Sequence, residues 1–272
     1  MTDTVDVALL GLPAAGKTTY LAALYSALDD PLPASPKLRS QPKTRTYLED
    51  IREAWLAGRP VDRTAIGTGE LIELDVDMGN GSDIALCIPD VSGESFTEAL
   101  SARTVDAALA ETVRTSSGVL LFTHPDHVQR RVPIVHAVGK GFVEEDEPVA
   151  VLRDFEPALA PTETQLVDLL QWAASLHEDA QPLRVGVVLS AWDEMGTITP
   201  AQWMGQLPLL RRYLDNSDEV DGQVFGVSAQ GGKYGSKNDP VTTPPMERPY
   251  VVTEDGSRHN DITLPLRWAA GR

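Results

Sequence analysis

Short apolar segments alternate with longer amphipathic stretches along this chain, and that alternation predicts an α/β fold. Six segments have the length and pattern of strands: 5–10, 69–78, 82–88, 118–122, 183–189 and 223–227. Helical spacing is found at 19–28, 97–115, 163–176 and, in part because of Pro208, at 201–214. Asn80-Gly81 favours a tight turn, so the strands on either side of it should form a hairpin. We predict a mixed six-stranded sheet with one antiparallel hairpin and helices on both faces.

Three parts of the chain fall outside this alternation. We expect insertions at 31–62 and 125–160 and an irregular C-terminal extension at 231–272, all within a single domain spanning 1–272. The first insertion carries a helical pattern at 44–56. The second is long enough to indicate a functional or disordered loop, and we interpret it as a partner-binding insertion. His124, Asp126, His127 and His136 also permit a metal site, but a turn started by Pro125 explains this cluster more simply.

The charge and composition of the chain exclude some classes of binding partner. The chain has 23 basic and 40 acidic residues, so its formal net charge is −17, which disfavours nucleic acid and anionic membrane as partners. No apolar stretch approaches the roughly 18 residues of a membrane span. Cys87 is the only cysteine, which excludes an intrachain disulfide and fits a reducing compartment. We expect a cytoplasmic protein that does not insert into membranes.

The segment between the first strand and the first helix carries the clearest chemistry. It reads Gly11-Leu12-Pro13-Ala14-Ala15-Gly16-Lys17-Thr18-Thr19 and matches the pattern G-x-x-x-x-G-K-[ST]. A strand that runs through such a loop into a helix directs backbone N–H groups at phosphate oxygens. Lys17 would neutralise the β- and γ-phosphates, and Thr18 would ligate Mg2+. We predict that a nucleotide contacts Gly11, Ala14, Ala15, Gly16, Lys17, Thr18 and Thr19, and we call residues 11–16 the glycine loop.

A second motif follows the third predicted strand. Asp90-Val91-Ser92-Gly93-Glu94 contains the element D-x-x-G. Asp90 would hold Mg2+ through water, and Gly93 would bring its N–H group against the γ-phosphate. The alternative is an ordinary turn after a strand, but the position after a glycine loop and a hairpin favours the functional interpretation.

Two further motifs indicate which nucleotide base the protein would bind. Ser190-Ala191-Trp192-Asp193 resembles the guanine-reading motif N-K-x-D, and Asp193 can accept hydrogen bonds from guanine N1–H and the 2-amino group. Ala191 and Ser190 depart from the pattern, Trp192 could stack or pack, and Asp193 could instead cap a helix. Ser228-Ala229 resembles the S-A-K element, whose backbone N–H meets the guanine carbonyl oxygen.

Together these motifs resemble the P-loop GTPases of the Ras-like, translation-factor-related class over residues 4–232. The helix at 44–56, the Asp-Val-Ser-Gly-Glu segment and Pro265-Leu266-Arg267-Trp268 also resemble bacterial double-GTPase proteins. The resemblance implies a three-layer P-loop GTPase fold that binds GTP or GDP with Mg2+. It also implies a second GTPase-like subunit as partner, in a multi-component bacterial system such as one of defence or conflict.

The catalytic residues that the resemblance implies are Lys17, Glu94 and a switch threonine that also ligates Mg2+. Thr64 and Thr68 both qualify, and we prefer Thr64 because the loop around it leaves room to move. Glu94 stands where a glutamine orients the attacking water, and a carboxylate there repels the γ-phosphate. Pro13 alters the loop surface that an arginine finger would meet. We therefore expect slow intrinsic hydrolysis.

The sequence predicts a GTP-binding switch that controls association with partner proteins. An inactive GTPase-like scaffold subunit is one alternative, since Glu94 and the altered base motif permit it. A P-loop ATPase or small-molecule kinase is another, and Asp193 with Ser228-Ala229 argues against it. A purely structural subunit that binds no nucleotide is the third.

Overall fold

The structure is a computed structural model, and it describes residues 3–31, 35–60, 71–79, 82–88, 102, 104–105, 107–130, 159–179, 181–235 and 239–272. Its strands are Asp3–Gly11 (β1), Lys37–Leu38 (β2), Ile72–Asp77 (β3), Ser82–Ile88 (β4), Gly118–Thr123 (β5), Leu183–Leu189 (β6), Val220–Ser228 (β7), Tyr250–Val252 (β8) and Arg258–His259 (β9). They form one nine-stranded sheet in the order β2-β3-β4-β1-β5-β6-β7-β8-β9.

The sheet is mixed, as the sequence predicts. β4, β1, β5, β6 and β7 are parallel neighbours, and β1 lies in the middle of the sheet. β3 and β4 are antiparallel, with Asp77 opposite Asp83, so the predicted hairpin pair is confirmed. The carboxyl ends of β1, β5, β6 and β7 therefore lie along one edge, where loops from distant parts of the sequence can meet.

The expected count of six strands is wrong for the described residues. All six predicted strands are present, but β2, β8 and β9 add three more at the two ends of the sheet. These strands are only two or three residues long. A strand that short cannot display an alternating pattern, and it forms because a neighbouring strand offers hydrogen-bond partners: β3 for β2, and β7 for β8.

Seven α-helices are present among the described residues. They are Lys17–Asp29 (α1), Arg45–Leu56 (α2), Ala107–Thr115 (α3), Thr162–Leu176 (α4), Pro200–Trp203 (α5), Pro208–Asn216 (α6) and Leu264–Ala269 (α7). The helix expected at 97–115 is interrupted among the described residues: Ala102 is helical, residues 104 and 105 are not, and α3 covers Ala107–Thr115. The helix expected at 201–214 is divided in two at Leu207, because Pro208 starts a new helix and cannot continue the preceding one.

Helices cover both faces of the sheet and give a three-layer arrangement. Val7 and Leu9 of β1 face one buried cluster, which α1, α2 and α7 complete. Ala8 and Leu10 face the other cluster, which α3, α4 and α6 complete. Alternate residues of a strand point to opposite faces, so a central strand that is apolar throughout is buried on both sides.

The C-terminal region is more ordered than the expected irregular extension. Residues 250–269 supply β8, β9 and α7, and Leu266 and Ala269 of α7 are fully buried. Gly118 permits this packing, because a Cβ atom there would lie 2.1 Å from the carbonyl oxygen of Ala269. Most of the expected insertion 125–160 lies outside the described residues. None of the helices in the described ranges combines the length and the hydrophobicity that a transmembrane span requires.

Candidate functional site

A pocket lies at the edge where the parallel strands end. The glycine loop and α1 contribute Gly16, Thr19 and Tyr20; β5 contributes Phe122 and, just beyond it, His124; the segment after β6 contributes Ser190, Ala191, Asp193 and Glu194; β7 and its loop contribute Val227, Ala229 and Gln230. Four chain segments that are far apart in the sequence therefore share one site. A crevice beyond the carboxyl ends of parallel strands is the usual ligand position in such sheets.

The backbone of the glycine loop is held in an unusual conformation. Gly11 and Gly16 have φ angles of 147° and 88°, and Ala14 has a φ of 57° although it carries a side chain. A Cβ atom on Gly11 would lie 2.6 Å from the carbonyl oxygen of Phe122, so only glycine fits there. Left-handed residues with side chains are uncommon and cluster at functional sites.

Lys17 provides a positive charge beside the glycine loop. Its Nζ donates hydrogen bonds to the carbonyl oxygens of Gly11 and Leu12, at 2.5 and 2.9 Å. Thr18 and Thr19 follow in the first turn of α1, and Gly16 is its N-cap residue. Since glycine has no side chain with which to cap the helix, the site combines the N-terminal end of a helix dipole with an ammonium group. That combination attracts anions.

Asp193, which lines the pocket, is hydrogen-bonded to the buried Ser228. Ser228 Oγ donates a hydrogen bond to Oδ1 of Asp193 at 2.5 Å and accepts one from the N–H of Gly231 at 3.0 Å. Asp193 lies inside a short 3-10 turn, Trp192–Glu194, whose N-cap residue is Ala191. The next helix, α5, is capped by Thr199. Asp193 therefore does not act as the N-cap aspartate that the sequence left open, and its carboxylate is held between two loops.

Ser190 links the end of β6 to the glycine loop. A Cβ atom on Gly16 would lie 2.7 Å from Cβ of Ser190, so the two segments touch. The N–H of Ser190 donates to the carbonyl oxygen of Thr123 at 3.0 Å. Ser190 thus occupies a bracing position between loops despite being shorter than the asparagine of the motif it resembles.

A model of the protein family described as Double-GTPase 1 matches residues 8–269. The chain belongs to the Double-GTPase 1 family. Membership indicates a GTP-binding protein with GTPase activity, and hence GTP and GDP as ligands. A search of curated proteins found no match.

In this Double-GTPase 1 protein the indole of Trp192 is buried beneath the site. Its side chain is 4% exposed and belongs to the cluster on the α4 side of the sheet. A Cβ atom on Gly226 would lie 2.3 Å from the indole ring, so Trp192 lies flat against β7. The sequence allowed Trp192 either to stack or to pack, and in this buried position the side chain packs.

His124 is a pocket residue that the sequence did not identify. It caps the 3-10 turn Pro125–His127, where its Nδ1 accepts a hydrogen bond from the N–H of Asp126 at 3.2 Å. Its ring stacks on that of His127, with ring centroids 4.4 Å apart. Burial and the neighbouring His127 lower the pKa of His124 below its ordinary value, which favours the neutral ring. Because Nδ1 accepts a hydrogen bond, the proton of the neutral ring is on Nε2. The expected turn at Pro125 is present, but nothing in the sequence signalled that it borders the pocket.

Several residues expected at the site lie outside the described residues. They are Thr64 and Thr68, the two switch threonines, and Asp90, Gly93 and Glu94 of the D-x-x-G element. The described strand β4 ends at Ile88 beside β1, where Ala8 pairs with Cys87. The roles of the two switch threonines and of the three D-x-x-G residues in this protein therefore stay predictions.

Proposed function

We propose that this chain is a molecular switch that binds GTP with Mg2+, hydrolyses it slowly and thereby controls its association with partner proteins. One observation carries the proposal: in a member of the Double-GTPase 1 family, Gly16 of the glycine loop and Asp193 line one pocket, and Ser228 holds Asp193 by a hydrogen bond. A pocket with a phosphate-binding end and a base-reading end fits a nucleotide better than it fits either part alone.

At the phosphate end, the glycine loop supplies backbone N–H groups and Lys17 supplies charge. The Lys17 ammonium now donates to two carbonyl oxygens of its own loop, and phosphate oxygens would replace or share these acceptors. The hydroxyl of Thr18, in the first turn of α1, suits Mg2+, which prefers oxygen ligands. Asp90 and Thr64 would complete the protein's share of the ligands.

At the base end, Asp193 would accept hydrogen bonds from guanine N1–H and the 2-amino group. Ser228 fixes the carboxylate in advance, so less orientational freedom is lost when the base binds. The backbone N–H of Ala229 would donate to guanine O6. Adenine has an acceptor at N1 and a donor at C6, so it mismatches both groups, and this mismatch argues against an ATPase or a small-molecule kinase.

Hydrolysis would depend on Lys17, Thr64 and Glu94. Glu94 can orient water only by accepting its proton, and its negative charge opposes the γ-phosphate. We therefore expect slow turnover without an activator. A nucleotide-bound state that persists is suited to signalling to a partner, and a second GTPase-like subunit of a bacterial multi-component system, such as one of defence, is the partner we propose.

Titration calorimetry of GTP, GDP and ATP with Mg2+, followed by phosphate release, tests this proposal. We expect GTP and GDP to bind with clear preference over ATP, and phosphate to be released slowly. Lys17→Ala should abolish binding, whereas Lys43→Ala should not, because Lys43 is an exposed residue paired with Glu73 on the surface. Equal affinity for ATP and GTP would contradict the guanine assignment. Tight GTP binding without phosphate release would favour the inactive scaffold.

A further inference from the structure

The loop after β7 is anchored by a side chain from the first insertion. We call residues 228–231, which are the last residue of β7 and the three that follow it, the base loop. Nε1 of Trp55, in the last turn of α2, donates a hydrogen bond to the carbonyl oxygen of Ala229 at 3.0 Å. Trp55 is fully buried, so this bond is made away from water. If the buried carbonyl group lost this donor, the loss of stability would exceed the net free energy that the hydrogen bond contributes.

Arg248 holds Trp55 in this position from the C-terminal region. Arg248 is only 4% exposed, and its guanidinium lies 5.7 Å from the centre of the Trp55 ring. It donates to the carbonyl oxygens of Trp55, Leu56 and Thr243, at 3.1, 3.4 and 2.9 Å. The first two carbonyls belong to the C-terminal end of α2, where the helix dipole favours a cation. The buried charge is therefore stabilised by carbonyl groups that it also fixes in place.

The same arginine also packs against the far end of the base loop. Gly231 has a φ of 83°, and a Cβ atom there would lie 2.8 Å from the carbonyl oxygen of Arg248. The N–H of Gly231 donates to Ser228 Oγ at 3.0 Å. The base loop is thus fixed at Ser228, at Ala229 and at Gly231 by three different elements of the fold.

We propose that Trp55 and Arg248 are positioning residues for guanine recognition: they fix the Ala229 peptide groups so that the N–H of Ala229 meets guanine O6. This proposal rests on the proposed guanine-nucleotide function. It gives α2, which the sequence shows only as an insertion, a part in base selection. Trp55 acts through Ala229, and Arg248 acts through Trp55 and Gly231.

Nucleotide analogues separate this role from ordinary packing. 6-thio-GTP carries sulfur, a weak acceptor, in place of O6, so the affinity ratio of GTP to 6-thio-GTP reports on the Ala229 N–H. ITP lacks the 2-amino group but keeps O6, so the ratio of GTP to ITP reports on Asp193. The variant Trp55→Phe keeps a buried aromatic ring and removes only the donor to Ala229.

In Trp55→Phe we expect the ratio of GTP to 6-thio-GTP affinity to fall about fivefold, while the ratio of GTP to ITP stays at the wild-type value. Arg248→Met should lower the first ratio in the same way. Trp172→Phe is the matched control, because Trp172 packs in α4 on the opposite face of the sheet. Both ratios should be unchanged in that control.

Equal weakening of all three nucleotides in Trp55→Phe would overturn the proposal, because Trp55 would then only stabilise the fold. A wild-type protein that does not distinguish GTP from 6-thio-GTP would also overturn it, even if GTP is preferred over ATP and the proposed function stands. If the wild type binds ATP as tightly as GTP, that result would instead refute the proposed function. If Trp55→Phe does not fold, an unchanged ratio in Arg248→Met overturns the proposal.

Discussion

The hydroxyl of Ser228 donates a 2.5 Å hydrogen bond to Oδ1 of Asp193, and it joins the loops that follow β6 and β7. Ser228 is fully buried, and its Oγ also accepts the N–H of Gly231. The carboxylate that we propose to read guanine is therefore oriented by a residue that follows it by 35 positions in the sequence.

Ser228→Ala should weaken GTP binding by about tenfold, which corresponds to about 1.4 kcal/mol. The substitution removes the hydrogen bond that orients Asp193 and leaves the N–H of Gly231 without its acceptor. Calorimetric titration of GTP measures the effect. Ser257→Ala is the control, since Ser257 makes a similar bond to Asp255 at an exposed site. Equal affinities of the two variants for GTP would show that the orientation of Asp193 does not matter.

Gly16→Ala should destabilise the protein more than a comparable glycine substitution elsewhere. The new Cβ atom would meet Ser190 at 2.7 Å, in a backbone conformation with φ of 88°. Gly196 has a similar φ of 71°, but nothing lies within 4 Å of its added Cβ atom. We expect a loss of about 1 kcal/mol for Gly196→Ala and about 2–3 kcal/mol for Gly16→Ala in urea unfolding. Similar losses in both variants would mean that the glycine loop and Ser190 are not in contact.

Cys87 should react slowly with thiol reagents in the folded protein. Burial, with the nearby carboxylates of Asp6, Glu73 and Asp75, raises the pKa of the Cys87 thiol to about 12. At pH 8 only about one thiol in ten thousand would be ionised, and the thiolate is the reactive form. Labelling by a chromogenic disulfide should therefore be slow in buffer and fast in urea. A folded-state rate equal to that of free cysteine would contradict this environment.

The stability of the fold should fall as the pH drops below about 6.5, in part because of His124. Burial and His127 lower the pKa of His124 in the folded state. When the pH falls below the pKa that His124 has in the unfolded chain, the imidazole binds a proton more readily in the unfolded state than in the folded state. Protonation therefore stabilises the unfolded state and lowers the free energy of unfolding. His124→Gln should flatten the dependence of unfolding free energy on pH between 5 and 8. His259→Gln, at the exposed edge strand β9, controls for the substitution, and an equal slope in both variants would exclude His124.

The predictions that were confirmed rest on patterns among residues that are close together in the sequence. The β3–β4 pair and the buried central strands were predictable, because hydrophobic periodicity depends only on local spacing. β8 and β9 were not predictable, because each forms only against a strand that the fold brings to it. The break at Leu207 was foreseen only in part, since Pro208 allows either a kink or a new helix.

The candidate site divides in the same way. The motif 11–19 is contiguous, so its pattern alone identified Gly16 and Thr19, which line the pocket. Asp193 and Ser228 could be named from motifs, but their contact could not be foreseen. The bond from Trp55 to Ala229 spans 174 residues, and no sequence pattern indicated it. Long-range contacts of this kind come from the packing of α2 against the sheet, which one sequence does not specify.

The substitution Asp193→Asn, measured with GTP and XTP, tests the guanine assignment most directly. Xanthine has a carbonyl oxygen where guanine has the 2-amino group, so an asparagine N–H can donate to it where an aspartate cannot. We expect the wild type to bind GTP in preference to XTP. The variant should lose about 100-fold in affinity for GTP and gain affinity for XTP. Unchanged GTP affinity in Asp193→Asn, with no gain for XTP, would contradict the claim that Asp193 reads the base.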